Sequence, residues 1–177
     1  MTNQDQTDFF GRDRIRCVQQ IGMLKLWDRS KRGAVLPLAS AVHDEDLARL
    51  REKVMLLDVD WRDGEPRYLI RYQGSDIDRI HDRNCVGLYL NDVMDPSIRE
   101  RGLKSYRRVV DQRIPAFNST AIQDEQGATV QYERLLLPFT RSGEKVDQIY
   151  SIVTLYTEDN QSPFQTLKNA ISSNSQP

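Results

Sequence analysis

The alternation of apolar and polar positions predicts a sheet in this chain of 177 residues. Five segments either alternate with a period of two or form short apolar runs bounded by turn residues. They are residues 55–61, 66–74, 116–123, 129–139 and 147–157. The turn signals between neighbours are Asp63-Gly64, Asp124 to Gly127 and Ser142-Gly143. Because hairpin-type turns join neighbours on both sides of one long crossover, the pattern predicts a single antiparallel sheet.

Apolar residues recur at helical spacing elsewhere in the chain. The predicted helices are residues 9–32, a second helix opening at Asp44 with a stripe of Leu47, Leu50 and Val54, helical turns at 76–81 and 90–94, and a long helix at 96–113. The stripe of the first helix consists of Phe10, Cys17, Ile21 and Leu24. Residues 1–8 are predicted to be a disordered tail. The chain after Asp159 is predicted to be loose, apart from one docked turn or short helix that carries Phe164, Leu167 and Ile171.

These elements predict an α+β fold: a five-stranded antiparallel sheet with helices on one face and an N-terminal helical extension. The expected division is a tail and helix at 1–32, one domain at 33–158, and a C-terminal tail at 159–177.

Charge and composition exclude several classes of protein. The chain carries 25 basic and 26 acidic residues, whereas a nucleic-acid binder usually has a clear basic excess. No apolar run reaches the roughly 18 residues that a membrane span needs, and the polar first residues do not resemble a signal peptide. Cys17 and Cys85 lie far apart in sequence, which favours two free thiols in a reduced, cytoplasmic protein.

Catalytic and metal-binding motifs are not evident. No His/Cys cluster has the spacing of zinc or iron–sulfur ligands, and there is no Gly-rich phosphate loop or G-x-S-x-G elbow. Asp58 and Asp60 share one strand face and could do acid–base work, but an exposed polar face is favoured. His43 is interpreted as a surface residue, and Cys85 as a buried, inert thiol.

The long predicted helix carries a row of basic residues, which is interpreted as a solvated face, with a surface for an anion or an acidic partner as the alternative. The row comprises Arg99, Arg101, Lys104, Arg107, Arg108 and Arg113.

Arg134 stands out because it lies inside an apolar strand, where it shares one face with Tyr132. A buried arginine needs an anion or several acceptors. Two partners remain open from the sequence: an internal carboxylate such as Asp147, or an acidic ligand.

Residues from about 24 to 158 resemble a bacterial family of single-domain PAS proteins, a class of sensory and docking modules. The closing hairpin carries the clearest likeness, with Arg134 to Pro138, a polar Gly turn, and Val146-Asp147. Trp27 resembles the entry of the family, and Leu56 to Val59 and Tyr68 to Gly74 resemble its first two strands. The segment 82–87 stands where the family often has Gly-Arg-Asp-Leu-Thr-Gly, but Asp82, Asn84, Cys85 and Val86 depart from that run.

The resemblance implies a non-enzymatic signalling or sensory module that binds a small molecule, a regulatory protein, or both, in a bacterial pathway. It implies a ligand site between the sheet and residues 75–110, near His81, Tyr106, Tyr132 and Arg134. It identifies no cofactor: a single-histidine haem ligand would have to be His81, and Cys85 lacks the sequence context of flavin photosensors. No attached output segment is evident, so the signal is expected to pass through a partner.

A homodimer through the helix at 9–32 is expected, because helical extensions of PAS domains often pair. The alternative is that this helix only covers the core of its own chain. The alternatives are a small isomerase or hydrolase with a similar cone-shaped fold, and a structural adaptor with a packed core and no cavity.

Overall fold

The computed structural model describes residues 5–6, 14–157 and 162–173 of the chain. The strands are β1 Asp5–Gln6, β2 Val54–Arg62, β3 Glu65–Gln73, β4 Ala116–Gln123, β5 Thr129–Phe139 and β6 Gln148–Thr157. The helices are α1 Val18–Ser30, α2 Asp44–Leu47, α3 Ser75–His81, α4 Leu90–Val93, α5 Pro96–Gln112 and α6 Pro163–Ser173, with a 3-10 turn at Ala39–Ala41.

The sheet is antiparallel throughout, in the order β3-β2-β6-β5-β4-β1. Strands β2 to β6 are the five predicted strands, and their ends lie within one residue of the predicted ends. The two-residue β1 adds to the β4 edge. The predicted fold class is therefore confirmed.

The two faces of the sheet are covered by different helices. We call the face that carries Arg134 and Ser151 the inner face, and the face that carries Glu133 and Thr154 the outer face, because side chains alternate along a strand. The hydroxyl groups of Tyr106 in α5 and Ser151 lie 3.2 Å apart, which places α5 on the inner face.

Helix α1 belongs to the outer face and begins at Val18, so the prediction of a helix from residue 9 is wrong for the described part of that segment. Ile15 and Cys17 are both buried. Burial of alternate residues suits an extended chain and not a helix. Phe10 and the rest of residues 9–13 lie outside the described residues.

The apolar side of α1 is already covered by its own sheet. Met23, Leu24 and Leu26 are buried, and Gln20 Nε2 donates to the carbonyl oxygen of Ile152 at 3.0 Å. The apolar stripe of the described helix therefore contributes to the core of its own chain.

Two other helices differ from the sequence expectation. Helix α2 ends at Leu47, and three-residue turns continue to Lys53 because Val54 is already paired with Ile152 in the sheet. Residues 163–173 form the helix α6, which packs on β4, β5, β6 and α3 and buries Leu167. The short docked helix, and not a loose tail, is the observed form of this segment.

Buried polar groups lie between α1 and the outer face. Glu133 is only 2% exposed and pairs across the sheet with Thr154. Glu133 Oε2, Thr154 Oγ1 and Gln20 Oε1 are buried without a hydrogen-bond partner among the described residues. Burial raises the pKa of the Glu133 carboxyl, and the positive charge of Arg16 opposes part of this rise.

We expect Glu133→Gln to make the protein more stable near neutral pH. Because the folded-state pKa is raised, the native state favours a protonated Glu133. The contribution of the protonated Glu133 to the free energy of unfolding is therefore fully present below the unfolded-state pKa. This contribution is lost as the pH rises from that value through the raised folded-state pKa. Thermal denaturation at several pH values should show a higher Tm for the variant at pH 7 and convergence with the wild type in acid. Glu125→Gln, at an exposed turn, is the control; equal pH dependence of wild type and Glu133→Gln would contradict the expectation.

Candidate functional site

A cavity of about 620 Å³ lies between the inner face, the segment from α3 to α5, and α6. Its apolar walls include Met55, Ile77, Ile80, Leu90, Val93, Met94, Ile122, Val153, Leu167 and Ala170. The lining also includes exposed residues such as Arg83, Ile98 and Arg101, so the cavity opens to solvent at that side. A volume of several hundred cubic ångströms with mostly apolar walls and a few polar groups is typical of small-molecule sites.

The structure brings all the residues predicted from the sequence to the wall of this cavity. His81 ends α3, Tyr106 lies in α5, and Tyr132 and Arg134 lie on β5. Whether they bind a ligand stays a prediction; their placement around one space is an observation.

Arg134 is the most unusual of these residues. Its Nε is buried without a partner among the described residues, and Nη2 reaches Asn118 Oδ1 only at 3.5 Å, at the limit of a hydrogen bond. Its guanidinium carbon lies 4.9 Å from the centre of the Tyr106 ring. A cation–π contact of this kind contributes about 0.5 to 2 kcal/mol, whereas removing a charge from water costs several kcal/mol. The ring contact therefore offsets only part of the cost of burial.

Burial lowers the pKa of Arg134, but the nearby phenol groups of Tyr106 and Tyr132 outweigh this effect and leave the pKa raised. The guanidinium is charged at every physiological pH. Asp147, one of the two partners left open by the sequence, does not fill the role. Its carboxylate accepts the backbone N–H of Arg141 at 3.0 Å. Asp147 lies six residues before Val153, the partner of Arg134 on β6, which is roughly 20 Å along the hairpin.

His81 occupies the end of α3. Burial lowers the pKa of its imidazole, and the positive charge of Arg83 lowers it further. The next residue, Asp82, has a φ of 55°, in the left-handed region. Asp82 stands where the PAS family often has Gly, and aspartate is among the residues that tolerate this conformation. The departure from the family motif therefore preserves the local backbone.

Sequence reasoning missed part of the site. Ser105, Asn118 and Ser151 are buried polar residues in the cavity wall. Their only sequence signal is a small polar residue inside an otherwise apolar element. Leu167 and Ala170 of α6 close another part of the wall, and the spacing of Phe164, Leu167 and Ile171 was the signal for that helix.

Asp58 was predicted to be on an exposed face, and this is wrong. Its residue is 4% exposed, and the carboxylate accepts hydrogen bonds from Arg71 Nε at 2.5 Å, Arg141, and Gln148 Nε2 at 3.2 Å. Burial raises the pKa of Asp58, but these hydrogen bonds and charges outweigh burial and leave it lowered. Asp60 accepts the hydroxyl of Tyr89 at 2.8 Å. Both carboxylates therefore have structural partners on the outer face.

The other residues considered for chemistry have ordinary surroundings. Cys85 is buried, its backbone N–H donates to Gln73 Oε1 at 3.3 Å, and it is absent from the cavity lining. His43 is exposed at the start of α2. On the basic face of α5, Arg107 pairs with Glu65, and Arg99 donates two hydrogen bonds to the carbonyl of Met94.

Within the described ranges, no group of three or more His, Cys, Asp or Glu residues is arranged to hold a metal ion. None of the described helices is both long and apolar enough to cross a membrane.

A family model described as PAS domain matches residues 17–154, and the chain belongs to that family. PAS domains are typical sensory modules that bind small molecules. A comparison with curated proteins finds no match.

Comparison with solved structures gives matches to light-oxygen-voltage proteins at low sequence identity. One, titled for a flavin analogue and the mechanism of a light-oxygen-voltage domain, has 12% identity and a TM-score of 0.46, and covers 73% of this chain and 93% of its own. The light state of the blue-light photoreceptor Aureochrome1 domain has 10% identity and a TM-score of 0.43, and the match covers 76% of this chain and 100% of that domain. An RNA-binding light-oxygen-voltage receptor has 13% identity and a TM-score of 0.38, and the match covers 78% of this chain and 40% of the receptor chain.

Proposed function

We propose that this protein is a non-enzymatic sensory module that binds a small molecule in the inner-face cavity and passes the signal to a protein partner. The observation that carries the proposal is the 620 Å³ cavity, in which apolar walls surround a few converging polar groups. A structural adaptor would gain nothing from such a space, because cavities are costly in a packed core. The bacterial pathway follows from the sequence resemblance alone.

The charged groups at the cavity favour binding over catalysis. An isomerase or hydrolase of this size would need an acid–base pair that converges on one point. The aspartates of the lining, Asp92 and Asp95, are exposed at its mouth, and Asp92 forms an ion pair with Arg67. His81 is the single histidine among the described lining residues. Burial lowers the pKa of its imidazole, and it has no carboxylate partner in an ion pair.

Filling the cavity is expected to abolish binding. Val153 lies on the central strand β6 and lines the cavity, so Val153→Phe adds an aromatic ring to the space. The neutral dye Nile red should bind the wild-type protein with enhanced fluorescence and should bind Val153→Phe at least about tenfold more weakly, a loss of roughly 1.4 kcal/mol.

Val35→Phe makes the same chemical change at an exposed position and is the matched control. Native mass spectrometry of the purified wild type should in addition detect a co-purified small molecule that Val153→Phe lacks. Equal dye binding by all three proteins, or no binding by the wild type, would refute the proposal.

The homodimer also remains a proposal, with a changed basis. Of the stripe expected to pair across the dimer, Cys17 and Leu24 are buried within their own chain, and Phe10 lies outside the described residues. Any pairing through the described part of α1 must therefore use other residues. Val18, which is 78% exposed at the start of α1, is the remaining support among the described residues. Light scattering on the full chain over a range of concentrations tests this; a monomer at every concentration would refute it.

A further inference from the structure

The cavity contains one charge that its own chain leaves unbalanced. Arg134 lies on β5, between β4 and β6, and its side chain forms no ion pair with any carboxylate of the described residues. The nearest polar groups are neutral: the amide of Asn118 and the phenols of Tyr106 and Tyr132. Buried charges in proteins are normally paired, so an unpaired cation on a cavity wall points to an anion in the cavity.

The number of charges indicates which kind of anion. Arg83, Arg99 and Arg101 also line the cavity, but Arg83 and Arg101 are exposed at the mouth, and Arg99 donates to the carbonyl oxygen of Met94. Arg134 is therefore the single cation on the inner-face wall of the described cavity. A dianion bound to Arg134 would keep one negative charge without a partner. A ligand with a single negative charge is therefore favoured.

The planar shape of the Arg134 guanidinium indicates which anionic group the ligand carries. A guanidinium presents N–H donors in a rigid planar fork, which matches the two oxygens of a carboxylate. The Nε of Arg134 has no partner, so one edge of the fork is available to such a group. Most of the remaining wall is apolar, and its volume corresponds to about twenty water molecules at about 30 Å³ each.

We propose that the ligand is a monocarboxylic acid with an apolar body of about ten to twenty non-hydrogen atoms, a size that follows from the same volume. Its carboxylate binds the guanidinium of Arg134, beside Asn118 and Tyr132. Its apolar body lies against Leu90, Val153 and Leu167. This inference rests on the proposed function, because it names the ligand class of the same cavity.

Displacement of Nile red by three probes of equal chain length tests the class. The probes are decanoate, decanol and decyl phosphate. On the wild type, decanoate should compete at a concentration at least about thirtyfold lower than decanol, the ratio expected for pairing a buried charge. Decyl phosphate should compete less well than decanoate. In Arg134→Met the preference for decanoate over decanol should disappear, while decanol should compete as in the wild type.

Arg101→Met removes a positive charge from the mouth of the cavity and is the matched control. It should keep most of the preference for decanoate. An equal loss in both variants would mean that general attraction of anions, and not a site at Arg134, causes the preference, and the inference would be wrong.

The possible outcomes distinguish failure of the proposed function from failure of the ligand class. Absence of Nile red binding by the wild type refutes the proposed function itself. If the wild type binds Nile red but decanoate and decanol displace it at equal concentrations, only the assignment of a carboxylate ligand is refuted. If decyl phosphate competes more strongly than decanoate, the ligand class is a phosphate instead of a carboxylate. If Arg134→Met does not fold, Arg134→Gln takes its place. The ratio of the competing concentrations of decanol and decanoate is then compared between Arg134→Gln and the wild type, and loss of the preference in the variant is the expected result.

Discussion

Gly74→Ala is expected to destabilise the protein by about 3 kcal/mol, the upper end of the usual cost of overpacking. Gly74 connects β3 to α3, and its backbone N–H donates to the carbonyl oxygen of Val54 at 3.0 Å. A Cβ atom there would lie 2.5 Å from the carbonyl carbon of Glu52 and closer still to the carbonyl oxygen of Arg51. Both neighbours are backbone atoms held by adjacent turns, so they cannot move aside as a flexible side chain could.

The backbone angles of Gly74 are not the reason for this expectation. Its φ of −76° is available to any residue, so the cost comes from the close approach of two backbone segments. Gly22→Ala is the matched control, because it lies inside α1 with no atom within 4 Å of the added Cβ. This control should gain up to about 1 kcal/mol from helix propensity. Urea denaturation measures both; a Gly74→Ala variant as stable as the wild type would contradict the packing described for this junction.

The Gly74 junction also matters for the cavity. Helix α3 starts directly after Gly74 and carries Ile77, Ile80 and His81 to the cavity wall. A folded but shifted Gly74→Ala variant should therefore show weaker Nile red binding, whereas Gly22→Ala should bind like the wild type.

Trp27→Ala is expected to cost about 3 to 5 kcal/mol, as for other buried tryptophans. Trp27 is 2% exposed, and its indole Nε1 donates to the carbonyl oxygen of Pro138 at 2.6 Å. The residue fixes α1 to the end of β5 on the outer face. Its loss removes apolar contacts and leaves the carbonyl of Pro138 without this donor.

Trp61→Ala makes the same chemical change at a residue that is 43% exposed on β2, near the hairpin with β3. It should cost about 1 kcal/mol or less. Chemical denaturation of both variants gives the comparison. Similar losses for the two tryptophans would mean that α1 contributes little to the stability of the sheet.

The strands of the sheet could be predicted closely from the sequence alone. A strand has a side-chain period of two, so a shift by one residue would move every apolar side chain to the wrong face. Alternation along 66–74 and 129–139 therefore limited the ends of these strands to within one residue. Asp63-Gly64 and Ser142-Gly143 marked the turns. Asp63, Gly64 and Gly143 have positive φ angles, which few other residue types adopt.

The helices and the details of the site depended on tertiary contacts. Cys17 and Val54 both fit a helical stripe in the sequence, yet Cys17 precedes α1 and Val54 is in β2. Asp58 shows the same limit for charged residues. Alternation showed that it shares one strand face with Asp60, but only the folded chain brings Arg71 and Arg141 to cover it.

For the candidate site, the sequence determined that Arg134 and Tyr132 share one strand face, because that follows from local geometry. It could not determine that the space in front of them stays open, or that Leu167 of α6 closes one wall while Asp147 remains distant. Local patterns report which residues are apolar and with what period, whereas a cavity depends on how much volume segments far apart in the chain leave between them. That volume is decided only when the helices pack against the sheet.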